Sequence, residues 1–87
     1  MSFSDEKVEE VSQFLQNYMK MNNIKSLTAD EAADILSENN ILPNDVGPKS
    51  GFNFRQMLRD GRDGEIPLVT GASQERPKTK WTIFVER

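Results

Sequence analysis

The chain predicts a small α+β domain, three helices followed by a two-stranded antiparallel β-hairpin, with residues 1–87 as a single unit. Three observations predict it. Apolar residues recur at helical spacing in two stretches of the first forty residues and again between 52 and 61. The segment "TKWTIFVE" alternates apolar and polar residues as a half-buried strand does. Pro43, Pro48 and Pro77 fall between these stretches, where a helix or a central strand would not tolerate them.

The first helix is expected from about Asp5 to Asn22. Val8, Val11, Leu15 and Tyr18 form its apolar stripe, which Phe14 and Met19 widen. Ser4 caps it, and Asp5 and Glu6 lie favourably against the positive end of the helix dipole. The stripe is too short for sustained heptads, which favours core packing over a coiled-coil seam. The asparagines of "MNNIKS" end the helix, and a short third strand is allowed near "IKSLT".

The second helix opens at "LTADEAADILSENN". Thr28 and Glu31 have capping-box spacing, with Leu27 and Ala32 as the accompanying hydrophobic staple. Ala32, Ile35 and Leu36 make a narrow apolar face, and Asp30, Asp34 and Glu38 line the outer one. Their regular spacing reads as a solvated surface rather than an acid–base pair. "ILPNDVGPKS" connects to the third helix, with Ile41, Leu42 and Val46 expected to turn inward.

The third helix is expected over residues 52–62, with Ser50 as its cap. Phe54, Met57, Leu58 and Gly61 share one face. At about 100° per residue, Arg55, Arg59 and Arg62 gather on an adjoining flank, and Gln56 falls near the outer face. Gly64 suits a left-handed position after the helix. "EIPLVT" reads as a short strand that Pro67 confines to an edge or a strand start. In "TKWTIFVE", Trp81, Ile83 and Val85 face one side and Thr82 and Phe84 the other. The polar connection between the strands, Ala72 to Thr79, is expected to be mobile and to become ordered on a ligand.

Composition removes several classes of function. The chain has no cysteine and no histidine, so thiolate and imidazole chemistry, in catalysis or metal binding, is closed to it. No nucleophile, acid–base pair or phosphate-cradling loop stands out, and "GRDGE" lacks the spacing of a nucleotide loop. The expectation is a non-enzymatic binding module without cofactor or metal. "MSFSDEKVEEV" has neither a basic nor an apolar leader region, and no apolar run is long enough to cross a bilayer, so a cytoplasmic protein without membrane contact is expected. The initial Met reads as the start of a complete small protein, although a domain cut from a longer chain would look the same.

Charge is divided along the chain. Residues 1–46 hold nine acids against three bases, a net of −6, and residues 47–87 hold eight bases against five acids, a net of +3. The total of −3 therefore conceals a basic second half.

The order helix, helix, helix, strand, loop, strand resembles the winged helix-turn-helix family over about Asp5 to Val85. The passage from the third helix through Gly64, Glu65 and Ile66 looks like that family's helix-to-hairpin junction. "RPKTKWTI" looks like a basic wing returning into an aromatic anchor. The resemblance implies duplex DNA as partner, with transcription regulation as the setting. The helix would read bases through Arg55 and Arg59, with Asn53 and Gln56 on the same side, while Arg76, Lys78 and Lys80 would meet the backbone along the wing; Lys49 and Arg62 complete the expected DNA-binding set. Two alternatives remain open at this point. The arginines can instead pair with Asp60, Asp63 and the acidic second helix and serve only solubility; and the chain can be a protein-interaction module, in which a wing aromatic, the Phe52 and Phe54 pair or the first helix meets a protein partner or a second copy. A third possibility is RNA or a non-B-form duplex, contacted by Trp81 or the wing.

Overall fold

A computed structural model describes residues 3–43, 51–74 and 80–86. The elements run α1 (Asp5–Met21), β1 (Ser26–Thr28), α2 (Ala29–Glu38), α3 (Phe52–Arg62), β2 (Ala72–Ser73) and β3 (Thr82–Phe84). The fold is α+β, with three helices and a three-stranded antiparallel sheet in the order β1-β3-β2. The third strand is the short one allowed at "IKSLT". It pairs Leu27 with Ile83, both buried, and Ser26 with Phe84.

Local chemistry explains the first two helices. The Lys7 amide donates to Ser4 Oγ at 3.1 Å, which satisfies one orphan donor of α1. The inward stripe of α1 is Val8, Val11, Leu15 and Met19, so its last member is Met19 rather than Tyr18. Tyr18 is half-buried at the flank, where its ring stacks on Phe14 with centroids 6.2 Å apart. At α2 the reciprocal capping box forms: the Glu31 amide donates to Thr28 Oγ1 at 3.2 Å and the Thr28 amide to Glu31 Oε1 at 2.9 Å. Leu27 and Ala32 are buried on either side of it. Ala33 joins Ala32 and Leu36 on the inner face, which displaces Ile35 to the edge.

The connection after α2 begins by folding back. The amides of Ile41 and Leu42 both donate to the Leu36 carbonyl, which carries Leu42 into the core and leaves Ile41 half-buried. Val46, Lys49 and Ser50 lie outside the described residues. The N-cap position of α3 is Gly51, at φ +82° and with no side-chain cap. Phe54, Met57 and Leu58 turn inward from α3 and join Leu15, Leu36, Trp81 and Ile83 in one core. Each large apolar side chain buried there contributes roughly 1.5–3 kcal/mol.

"EIPLVT" is not a strand; β2 forms later, at Ala72–Ser73. Ile66 and Val69 are both buried although three residues apart, a spacing that puts strand side chains on opposite faces. Pro67 supplies no amide for a ladder, and the backbone at Leu68 presses against α3. A Cβ on Gly61 would lie 2.8 Å from the Leu68 Cα. The chain turns into β2 at Gly71, φ +84°, where a Cβ would lie only 2.1 Å from the Phe84 carbonyl oxygen. Ala72 and Ser73 then pair with Ile83 and Thr82, so the start of the segment read as a mobile loop is sheet. Residues 75–79 lie outside the described residues.

Two buried polar residues on α1 secure this junction. Gln16 Nε2 donates to the carbonyls of Thr70 (3.1 Å) and Phe84 (3.0 Å), and its Oε1 accepts from the Glu86 amide (2.8 Å). Ser12 Oγ accepts from the Thr70 amide at 3.0 Å. No helix among the described residues is long and apolar enough to cross a membrane.

Candidate functional site

The inner face of α3 decides where its arginines go. With Phe54, Met57 and Leu58 turned into the core, Arg55, Arg59 and Arg62 emerge together on the flank beside β2 and the start of α2. They line a cleft of about 670 Å³. Its other walls are Thr28, Ala29 and Asp30 at the head of α2 and Gln74, Lys80 and Trp81 around the ends of β2 and β3. Among the described residues, four cationic side chains thus face one carboxylate, that of Asp30. Trp81, 7% exposed, contributes an apolar surface to the cleft while belonging to the core.

The three arginines are held differently. Arg55 Nη1 is 2.5 Å from Asp30 Oδ1, an ion pair between helices. The Arg55 side chain is 25% exposed and that of Asp30 78%, so solvent screens the pair. Arg62 Nε pairs with its neighbour Asp63 at 3.2 Å, and its Nη1 reaches Gln74 Oε1 at 3.4 Å. Arg59 has no carboxylate partner among the described residues. Its guanidinium lies over the Phe52 ring, 5.3 Å from the centroid, and its Nη2 donates to Gln56 Oε1 at 2.9 Å. Gln56 Nε2 donates in turn to Oδ1 of the buried Asp60 at 2.8 Å. The two charged neighbours fix the Gln56 amide, oxygen toward the guanidinium and nitrogen toward the carboxylate.

The structure therefore brings Arg55, Arg59, Arg62 and Lys80 to one cleft. Asn53 and Gln56 do not line it. Asn53 Nδ2 donates to the Pro43 carbonyl at 3.1 Å, and Gln56 sits between Arg59 and Asp60. Lys49, Arg76 and Lys78 lie outside the described residues. The expected pairing of arginines with acids occurs at Arg55 with Asp30 and at Arg62 with Asp63, whereas Asp60 takes Gln56. Reasoning on the sequence missed Phe52 as the platform under Arg59. The signal was there: the two residues are seven apart, two turns along one face. It also missed Gln74 as a lining residue, for which the sequence carries no signal.

Among the described residues no group of three or more histidine, cysteine or carboxylate side chains could hold a metal ion. Compared with known families, curated proteins and solved structures, the chain matches no family model, no curated protein and no solved structure.

Proposed function

We propose that the chain is a duplex-DNA-binding module of the winged-helix kind, with α3 entering the major groove and the segment between β2 and β3 as the wing. One observation carries the reading: three arginines of α3 and Lys80, next to β3, converge on one cleft that holds a single carboxylate among the described residues. Guanidinium groups suit both phosphate oxygens and the O6/N7 edge of guanine. Neutralising phosphates releases counterions, which gives such a surface affinity without sequence information. The acidic side chains of α1 and the outer face of α2 oppose loose binding elsewhere on the molecule.

The test is fluorescence anisotropy with a short random-sequence duplex at low salt, then across added salt. Three phosphate contacts give a slope of log K against log salt of about −2.7, from roughly −0.9 per contact. Absence of binding at low salt, with the fold intact by circular dichroism, removes the reading. A protein-interaction module then replaces it. The observation in favour of that second reading is Phe84, 49% exposed on β3, whose outward ring suits a protein partner or a second copy.

A further inference from the structure

The cleft contains two arginines in opposite states, and the contrast indicates what the cleft takes and what limits it. Arg59 is prearranged. Its guanidinium lies over the Phe52 ring, one nitrogen is held by Gln56, and Gln56 is held by buried Asp60. The rest of its N–H fork has no protein partner among the described residues. A guanidinium held this way loses little conformational freedom when it binds an anion. Arg55 already holds an anion, the Asp30 carboxylate. Carboxylate and phosphate present the same oxygen geometry to a guanidinium. Asp30 therefore occupies, on one side of the cleft, the place that an incoming oxyanion would take.

We propose that the cleft seats a phosphate group, with Arg59 as its fixed ligand and Asp30 as a built-in competitor that a phosphate must displace from Arg55. This deepens the duplex reading and rests on it for the source of the phosphate, a backbone phosphodiester. A free phosphorylated small molecule offers the same chemistry. Exchange of one anion for another at Arg55 yields little net affinity, so the intact protein binds weakly at this position. Asp30→Asn leaves a neutral side chain of the same size that no longer competes.

The experiment follows the side-chain Nε–H resonances of Arg55 and Arg59 by NMR during titration with sodium pyrophosphate and, separately, with a short random-sequence duplex. The wild type is compared with Asp30→Asn, Arg59→Lys and Glu38→Gln. The last removes the same charge from the far end of α2, away from the cleft. Expected results are a shift of the Arg59 resonance with either probe and about fivefold tighter binding in Asp30→Asn. Glu38→Gln should change affinity less than about twofold. Arg59→Lys keeps the charge, loses the fork and should weaken binding about tenfold.

If Asp30→Asn binds no tighter, or Glu38→Gln tightens binding as much, the competitor is refuted. If the duplex binds but the Arg59 resonance stays fixed, the seat is refuted and the duplex reading stands. If pyrophosphate shifts Arg59 and responds to Asp30→Asn while the duplex does neither, the seat stands, its ligand is a small phosphorylated molecule, and the duplex reading falls. If neither probe binds, the seat is refuted.

Discussion

The strands β2 and β3 and the turn at Thr70 are flanked by polar side chains from two helices, and the two flanks behave in opposite ways. On the α1 side, Ser12 and Gln16 are buried, and every polar atom of the Gln16 amide that the backbone can use is engaged with Thr70, Phe84 or Glu86. On the α3 side, Arg62 meets Gln74 at a long 3.4 Å, and Arg59 faces the cleft with no carboxylate partner among the described residues. Burial separates the roles. A polar group out of water must be satisfied by the protein and so becomes structural. A polar group at a water-filled cleft keeps donors that an external ligand can take. Trp81 stands between the two, core by burial and cleft wall by position.

The contrast can be broken in order of expected effect. Trp81→Ala removes a side chain that is at once core and cleft wall. Urea denaturation should show a loss of about 3–5 kcal/mol, enough to leave so small a domain largely unfolded. Gly71→Ala forces a Cβ toward the Phe84 carbonyl at a residue with positive φ. The expected cost in the same assay is about 2–4 kcal/mol, from combined strain and overpacking. Gln16→Leu keeps the approximate volume but leaves the Thr70 and Phe84 carbonyls and the Glu86 amide without their partner, for about 1–3 kcal/mol. Amide exchange should quicken first at Glu86. Arg59→Ala should cost about 0.5–1 kcal/mol of stability, from the part-exposed contact with Phe52 and the hydrogen bond to Gln56. Its larger effect belongs to binding, a loss of about 1–3 kcal/mol toward a duplex. Were Arg59→Ala to destabilise the fold as much as Gln16→Leu, the division between a structural and an available flank would be wrong.

Much of this architecture was legible because its determinants are local. The Thr28–Glu31 box, Ser4 before two acids, and the 3–4 spacing of Phe54, Met57 and Leu58 each act within a turn or two of helix, and each element starts or packs where they indicate. The alternation in "TKWTIFVE" correctly sent Trp81 and Ile83 inward. What escaped depends on residues distant in the chain. Ser12 and Gln16 look like surface residues until their positions beside Val11 and Leu15 on the inner face are set against a backbone more than fifty residues away. "EIPLVT" has strand composition, yet Gly61 draws its backbone against α3 and β2 begins only after the turn at Gly71. In the cleft, the ridge of three arginines followed from helical geometry alone. The capture of Arg55 by Asp30 did not, because it joins two helices across 25 residues.

The position of β3 governs the order in which the molecule can be assembled. It is the middle strand of the sheet, and both of its partners precede it in the chain. During synthesis neither ladder can form until residues 82–84 have left the ribosome. Until then β1 has no partner, Gln16 has neither the Phe84 carbonyl nor the Glu86 amide to bind, and the space filled by Ile83 lies open. The helices can associate early through local contacts, but closure of the sheet waits for one late segment that must find Ser26–Thr28 across more than fifty intervening residues. A nascent chain arrested before Trp81 emerges should therefore remain open to proteolysis at β1, and protection there should arrive together with β3.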